Sequence, residues 1–149
     1  MTPKSELDKK RWLNEELVFA FPKGLPGFEH LREYKLQEHN ELFSILSAVE
    51  EETVTFITVN PFDFVPDYEF ELSSDALADI GIIDREQIAV RCIVTWHSNK
   101  EKITVNLLAP LIFNVEKSIG KQIVLQNTDY TTRSALWQKL RHKEQGGES

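Results

Sequence analysis

At 149 residues, with 41% hydrophobic and 28% charged positions, the chain is long enough to bury one core and has a globular composition, which excludes disorder and collagen-like structure. Its net charge of −7 and pI of about 5.1 argue against direct nucleic-acid binding or docking on anionic membrane, since either calls for a basic face. No apolar run approaches the roughly 20 residues that cross a bilayer, the charged start from Met1 to Arg11 lacks the apolar core of a secretory signal, and Cys92 as the only cysteine excludes an internal disulfide, so the expected compartment is the cytoplasm.

The predicted elements are mostly short apolar or alternating runs separated by turn signals, the pattern of a compact antiparallel β-barrel or sandwich with a few short helices. Residues 17–21 alternate, with Leu17, Phe19 and Phe21 on one face and Val18 and Ala20 on the other. The following Pro22-Lys23-Gly24-Leu25-Pro26-Gly27 cannot continue a strand and predicts a tight turn. Residues 42–47 and 53–59 read as a strand pair, which Asn60-Pro61 ends.

Residues 68–72 predict a further short strand, followed by a helical turn capped by Ser73 or Ser74 and closed by Gly81. Asp84 and Gln87 have capping-box spacing for a second turn. Residues 88–96 and 102–108 predict the longest hairpin, and 111–115 with 122–126 another pair around Gly120. The period then changes: Leu136 and Leu140, with Trp137 beside them, predict an amphipathic C-terminal helix over 132–143. Residues 5–16 could also be helical. With neither a repeat nor a flexible linker, 1–149 reads as one domain, with an N-terminal extension over 1–16, flexible or helical, and a charged tail.

Catalytic and metal-binding motifs are missing from the sequence. His30, His39, His97 and His142 are scattered without ligand spacing, and no phosphate loop, nucleophile elbow or dinucleotide fingerprint is present, so neither metal nor cofactor is expected. Cys92 lies in an apolar run and reads as a small buried hydrophobe rather than a nucleophile. Asp67, Glu69 and Glu71 share one face of an extended segment; they can be an acid/base or divalent-cation site, or simply the solvated side of a strand whose Tyr68, Phe70 and Leu72 face the core.

Between residues 63 and 86 the acids are Asp63, Asp67, Glu69, Glu71, Asp75, Asp79, Asp84 and Glu86, with Arg85 the only base. Such a single-sign field either steers a basic partner or merely solubilises the surface. Phe62 and Phe64, in a loop bounded by Pro61 and Pro66, either plug the core or anchor an interface. Leu25 and Phe28 pose the same question.

The stretch Phe21-Pro22-Lys23-Gly24-Leu25-Pro26-Gly27-Phe28-Glu29, then Asn60-Pro61 and Pro66-Asp67-Tyr68, resembles the FliW-type flagellar assembly factors. So does Ile103-Thr104-Val105-Asn106-Leu107-Leu108-Ala109-Pro110-Leu111-Ile112-Phe113-Asn114, with Gly120-Lys121-Gln122-Ile123-Val124-Leu125 and Tyr130-Thr131-Thr132-Arg133 in the expected order. The resemblance covers about 17–136. Leu111 and Phe113 depart from the family pattern only as core-type exchanges.

The resemblance implies a barrel-like fold, no catalysis and two protein partners: flagellin, and a CsrA-type regulator, a small basic RNA-binding dimer that represses flagellin translation. Export of flagellin frees the FliW-type protein, which then binds the regulator away from its RNA surface. Within this frame, Asp67, Glu69, Glu71, Phe62 and Phe64 are the candidates for regulator contact. Gly24, Pro26, Gly27, Phe28, Pro61, Tyr68, Asn106, Pro110, Asn114 and Gln122 are family-motif positions with structural roles; Asn106 and Asn114 each interrupt an apolar run and are expected to fix a loop through backbone hydrogen bonds. The free protein is expected to be a monomer. A chaperone for flagellin alone, or a metal-dependent enzyme using Asp67, Glu69 and Glu71, are the rival readings.

Overall fold

A computed structural model of the chain describes residues 16–136. In chain order the strands are β1 (Glu16–Ala20), β2 (Glu33–Glu38), β3 (Phe43–Ala48), β4 (Thr55–Val59), β5 (Ile88–Thr95), β6 (Thr104–Val105), β7 (Leu111–Asn114), β8 (Ile119–Gln122) and β9 (Ser134–Ala135). One helix, α1 (Ser74–Asp79), lies between β4 and β5, and 3-10 turns occur at Pro61–Asp63, Arg85–Gln87 and Lys100–Lys102.

The strands β4-β3-β2-β1-β8-β7-β5 are neighbours in that order, and β5 pairs again with β4, which closes a seven-stranded barrel. A ring with an odd number of strands cannot alternate direction all the way round. One contact must be parallel, and it is β1 against β8, through Ala20 and Ile119. Closure leaves these strands no long unpaired edge; β6 and β9 extend the sheet outward from β5.

Period-two patterning sends one side-chain row of each strand into the barrel. Phe19, Phe21, Tyr34, Leu36, Leu46, Ala48, Ala89, Leu111 and Phe113 form its core. The rings of Phe19 and Phe113 sit 4.7 Å apart and those of Phe21 and Tyr34 5.2 Å, in the tilted and edge-on geometries aromatic quadrupoles favour. The hydroxyls of Ser44 and Thr58 pair at 2.8 Å, and buried Arg91 reaches Glu38 of β2 at 3.5 Å. Across the barrel wall, Val59, Cys92 and Val94 meet Tyr68, Phe64, Ile103, Val105, Leu107 and Leu136 in a second core. The opposite rows of β5 and β7, with Ile88, Val90 and Ile112, pack under Leu72, Ile80 and Ile82. Being covered on both faces is why 88–94 reads as a nearly continuous apolar run.

Several sequence expectations are corrected. Strand β2 went unread because only Tyr34 and Leu36 stand among its charged and polar residues. Residues 68–72 keep the expected alternation, with Tyr68 and Leu72 buried and Glu69 and Glu71 exposed, but belong to no strand. Side chains hold them instead: Tyr68 Oη donates to the Leu107 carbonyl (2.7 Å), and the Glu69 N–H donates to Tyr130 Oη (3.2 Å).

The hairpin over 88–96 and 102–108 shrinks to two rungs, Val94 with Val105 and Thr95 with Thr104, because the other half of β5 pairs with β7. Gly120 is not at a turn; it lies inside β8 opposite Phe113, and the turn is tighter, with Ser118 in the left-handed region at φ 57°. Over 132–143, Ser134–Ala135 pair with β6 as a strand, so no helix begins at 132; residues 137–143 lie outside the described residues, as do residues 5–15 of the helix considered over 5–16, whose last residue, Glu16, opens β1 instead.

Candidate interaction surface

The segment between β4 and β5 carries the acidic field, and local capping shapes it. Asn60 Oδ1 accepts from the Phe62 N–H at 3.0 Å and starts the 3-10 turn, with buried Pro61 in its first position. Both loop aromatics turn inward: Phe64 is 4% exposed, and half-buried Phe62 packs 5.8 Å from the Tyr68 ring. Phe64 therefore offers no exposed ring.

Tyr68 is the hub of this region. Its ring also meets those of Phe70 (5.4 Å) and Tyr130 (4.7 Å), and burial holds its phenol protonated well past the ordinary range. Asp67, Glu69 and Glu71 consequently project from a segment anchored at every second residue, and all three are exposed. Ser73 Oγ then caps α1 by accepting from the Ala76 N–H at 3.1 Å, which fixes exposed Asp75 in the first turn. Asp84 and Gln87 form the expected capping box, with the Gln87 amide oxygen accepting from the Asp84 N–H at 3.0 Å.

The field is less uniform than the sequence implies. Asp79, at the end of α1, is paired with Lys121 of β8 and lies 3.6 Å from Lys23, and the Lys121 hydrogen bond holds its carboxyl below the usual range. Neither lysine lies in the 63–86 stretch, so the sequence run could not reveal the pairing.

The Pro/Gly turn is a built loop. Gly24 (φ 64°) and Gly27 (φ 84°) are left-handed, and a Cβ at Gly24 would come 2.7 Å from Glu29 Cα, so glycine is required there. Pro26 is exposed between them. The Gly27 N–H donates to Glu29 Oε1 (3.1 Å); backbone hydrogen bonds of this kind lower the Glu29 pKa. Arg32, which sequence reasoning missed, donates to the carbonyls of Glu29 and Pro22 and closes the loop. Leu25 is buried and half-buried Phe28 meets Phe56 edge-on with ring centres 5.6 Å apart, so both face inward. A cleft of about 370 Å³ is lined by this loop together with Asp79 and Lys121.

Both asparagines do what their positions imply. Asn106 Oδ1 accepts from the Leu108 and Ala109 N–H groups (3.1 and 2.9 Å), shaping the bend into buried Pro110. Asn114 Oδ1 accepts from Glu116 and Lys117, both at 3.1 Å, while its amide donates to the Ile80 carbonyl at 2.8 Å. Gln122 Nε2 donates to the Ala109 carbonyl (3.0 Å). Cys92 is fully buried, and desolvation pushes its thiol up to about 12, so it is a packing group. Among the described residues no three His, Cys, Asp or Glu side chains converge as metal ligands would, and no helix is long and apolar enough to cross a membrane.

Fold and surface together define a small closed β-barrel that presents an acidic loop layer held by side-chain hydrogen bonds. The family model described as FliW protein matches residues 5–136. The chain is 40% identical over 126 residues to the flagellar assembly factor FliW of Clostridium kluyveri, covering 83% of this chain and 87% of that one. With the FliW of Caldicellulosiruptor bescii it shares 35% identity over 134 residues, covering 89% and 88%. A crystal structure of the flagellar assembly factor FliW superposes with a TM-score of 0.77 at 33% identity, over 80% of this chain and 84% of that one. The chain belongs to the FliW family of flagellar assembly factors.

Proposed function

We propose that this protein acts in the cytoplasm by stoichiometric protein binding, with no bond made or broken and no cofactor. It engages a CsrA-type RNA-binding regulator and flagellin in turn, and relieves repression of flagellin translation by a partner switch. The observation that carries this reading is the exposed row Asp67, Glu69, Glu71 and Asp75, held in place from behind by Tyr68 and the Ser73 cap. A rigid single-sign surface accelerates encounter with a basic protein and repels RNA phosphate, so the regulator is engaged without direct nucleic-acid contact. The exposed carboxylates spread along the segment instead of converging, which disfavours the metal-enzyme reading.

Charge reversal at Asp67, Glu69 and Glu71 together tests the proposal. Affinity for purified regulator should fall at low ionic strength, mainly through a slower on-rate, and the salt dependence should flatten. Unchanged affinity at low salt removes the acidic face from the account. Pull-down with the regulator separates this function from a chaperone that serves flagellin alone.

A further inference from the structure

A groove of about 710 Å³ runs between residues 69–76 on one wall and 121–128 on the other. The β7–β8 ladder does not stop at Gln122: the Ile123 N–H donates to the Pro110 carbonyl (3.1 Å) and the Leu125 N–H to the Leu108 carbonyl (2.9 Å). In an extended antiparallel chain, successive residues present their backbone groups to opposite edges. With Ile123 and Leu125 committed to the inner edge, Val124 and Gln126 present theirs to the outer one, where the Val124 carbonyl accepts only a long, exposed hydrogen bond from Gln126 Nε2 (3.4 Å) that an incoming strand would displace, until left-handed Asn127 (φ 53°) ends the run. Val124 is 61% exposed there. The facing wall carries Glu69, Glu71 and Asp75, with Phe70 half-buried between the first two.

We propose that this groove accepts an extended peptide segment as an added strand along 123–127, with alternating basic and apolar side chains. Main-chain pairing to Val124 and Gln126 supplies affinity independent of sequence. The acidic wall selects lysine or arginine on one side of the strand, and Val124 with Phe70 receives the apolar row. The occupant belongs to the basic regulator, so the inference rests on the function proposed above and specifies where and how contact is made.

The probe is a fluorescein-labelled peptide, Lys-Val-Lys-Val-Lys-Val-Lys, titrated against the full chain by anisotropy. Binding at least tenfold tighter than that of the Glu-Val counterpart is expected. It should fall at least tenfold when alternate amides of the peptide are N-methylated, which leaves charge unchanged, and again for Val124→Lys, checked for folding by its melting curve. Equal binding of the methylated peptide overturns strand addition, as does a chain that is already dimeric by mass at the assay concentration, which assigns the edge to a second copy. If the intact regulator binds Val124→Lys normally but not the Asp67, Glu69, Glu71 reversal, the groove inference fails and the functional reading stands. If the peptide binds and the regulator does not, the functional reading fails instead.

Discussion

Gly120 of β8 lies directly against the ring of Phe21: a Cβ placed there would come within 2.6 Å of Phe21 Cζ. The contact lets the chain leaving β1 press its aromatic side chain onto the barrel wall, next to the single parallel junction of Ala20 with Ile119. Gly120→Ala should therefore overpack the core and cost about 1–3 kcal/mol in denaturant unfolding. Phe21→Leu in the same chain should recover part of that loss, because the two sites share one space. Additive losses would show that the clash lies elsewhere.

Asn114 ties three segments together, and nothing else of its shape can both accept from Glu116 and Lys117 and donate to Ile80. Asn114→Ala leaves a buried carbonyl at the end of α1 without this donor. A loss of about 2–4 kcal/mol follows for removal of several hydrogen bonds at a buried site. Hydrogen exchange should rise at residues 116 and 117, whose amides lose their acceptor.

Asp79 gives a pH signature. Lys121, then Lys23, holds its carboxyl below its ordinary value of 3.8 in the folded chain. The unfolded chain takes up that proton near pH 4, while the folded chain resists until lower pH, so the contribution to stability is fully present above about pH 4 and is lost as pH falls through the depressed value. Asp79→Asn should flatten this part of the acid-unfolding curve by slightly lowering stability at neutral pH while leaving the acid end unchanged, a small effect because the pair is solvent-screened. Glu29, lowered by backbone hydrogen bonds, shifts the curve in the same sense and should remain after the substitution.

Cys92 should be inert in the native protein. With its thiol buried and its pKa pushed up to about 12, labelling by an aromatic disulfide reagent at pH 8 should proceed only as fast as the chain opens. Rapid stoichiometric labelling without denaturant would contradict the packing described for β5.

Much of this architecture is legible locally. Ser73, Asp84 and Gln87 cap turns through contacts within four residues, and Asn106 and Asn114 hold backbone two and three residues away. What sequence reasoning missed is set by distant partners. β2 is a strand because β1 and β3 flank it, despite its charges. Residues 68–72 have strand alternation without a ladder because Leu107 and Tyr130, far along the chain, hold them by side chains. The pairing of Asp79 with Lys121 and the groove beside Val124 likewise exist only once β8 stands next to α1.

The central claim is that the protein works by alternately occupying two other proteins. Titration calorimetry of the purified regulator dimer with the full chain, with and without flagellin added first, tests it most directly. Saturable heat with a stoichiometric endpoint, abolished by prior addition of flagellin, is the predicted result. No heat, or heat undiminished by flagellin, contradicts the account.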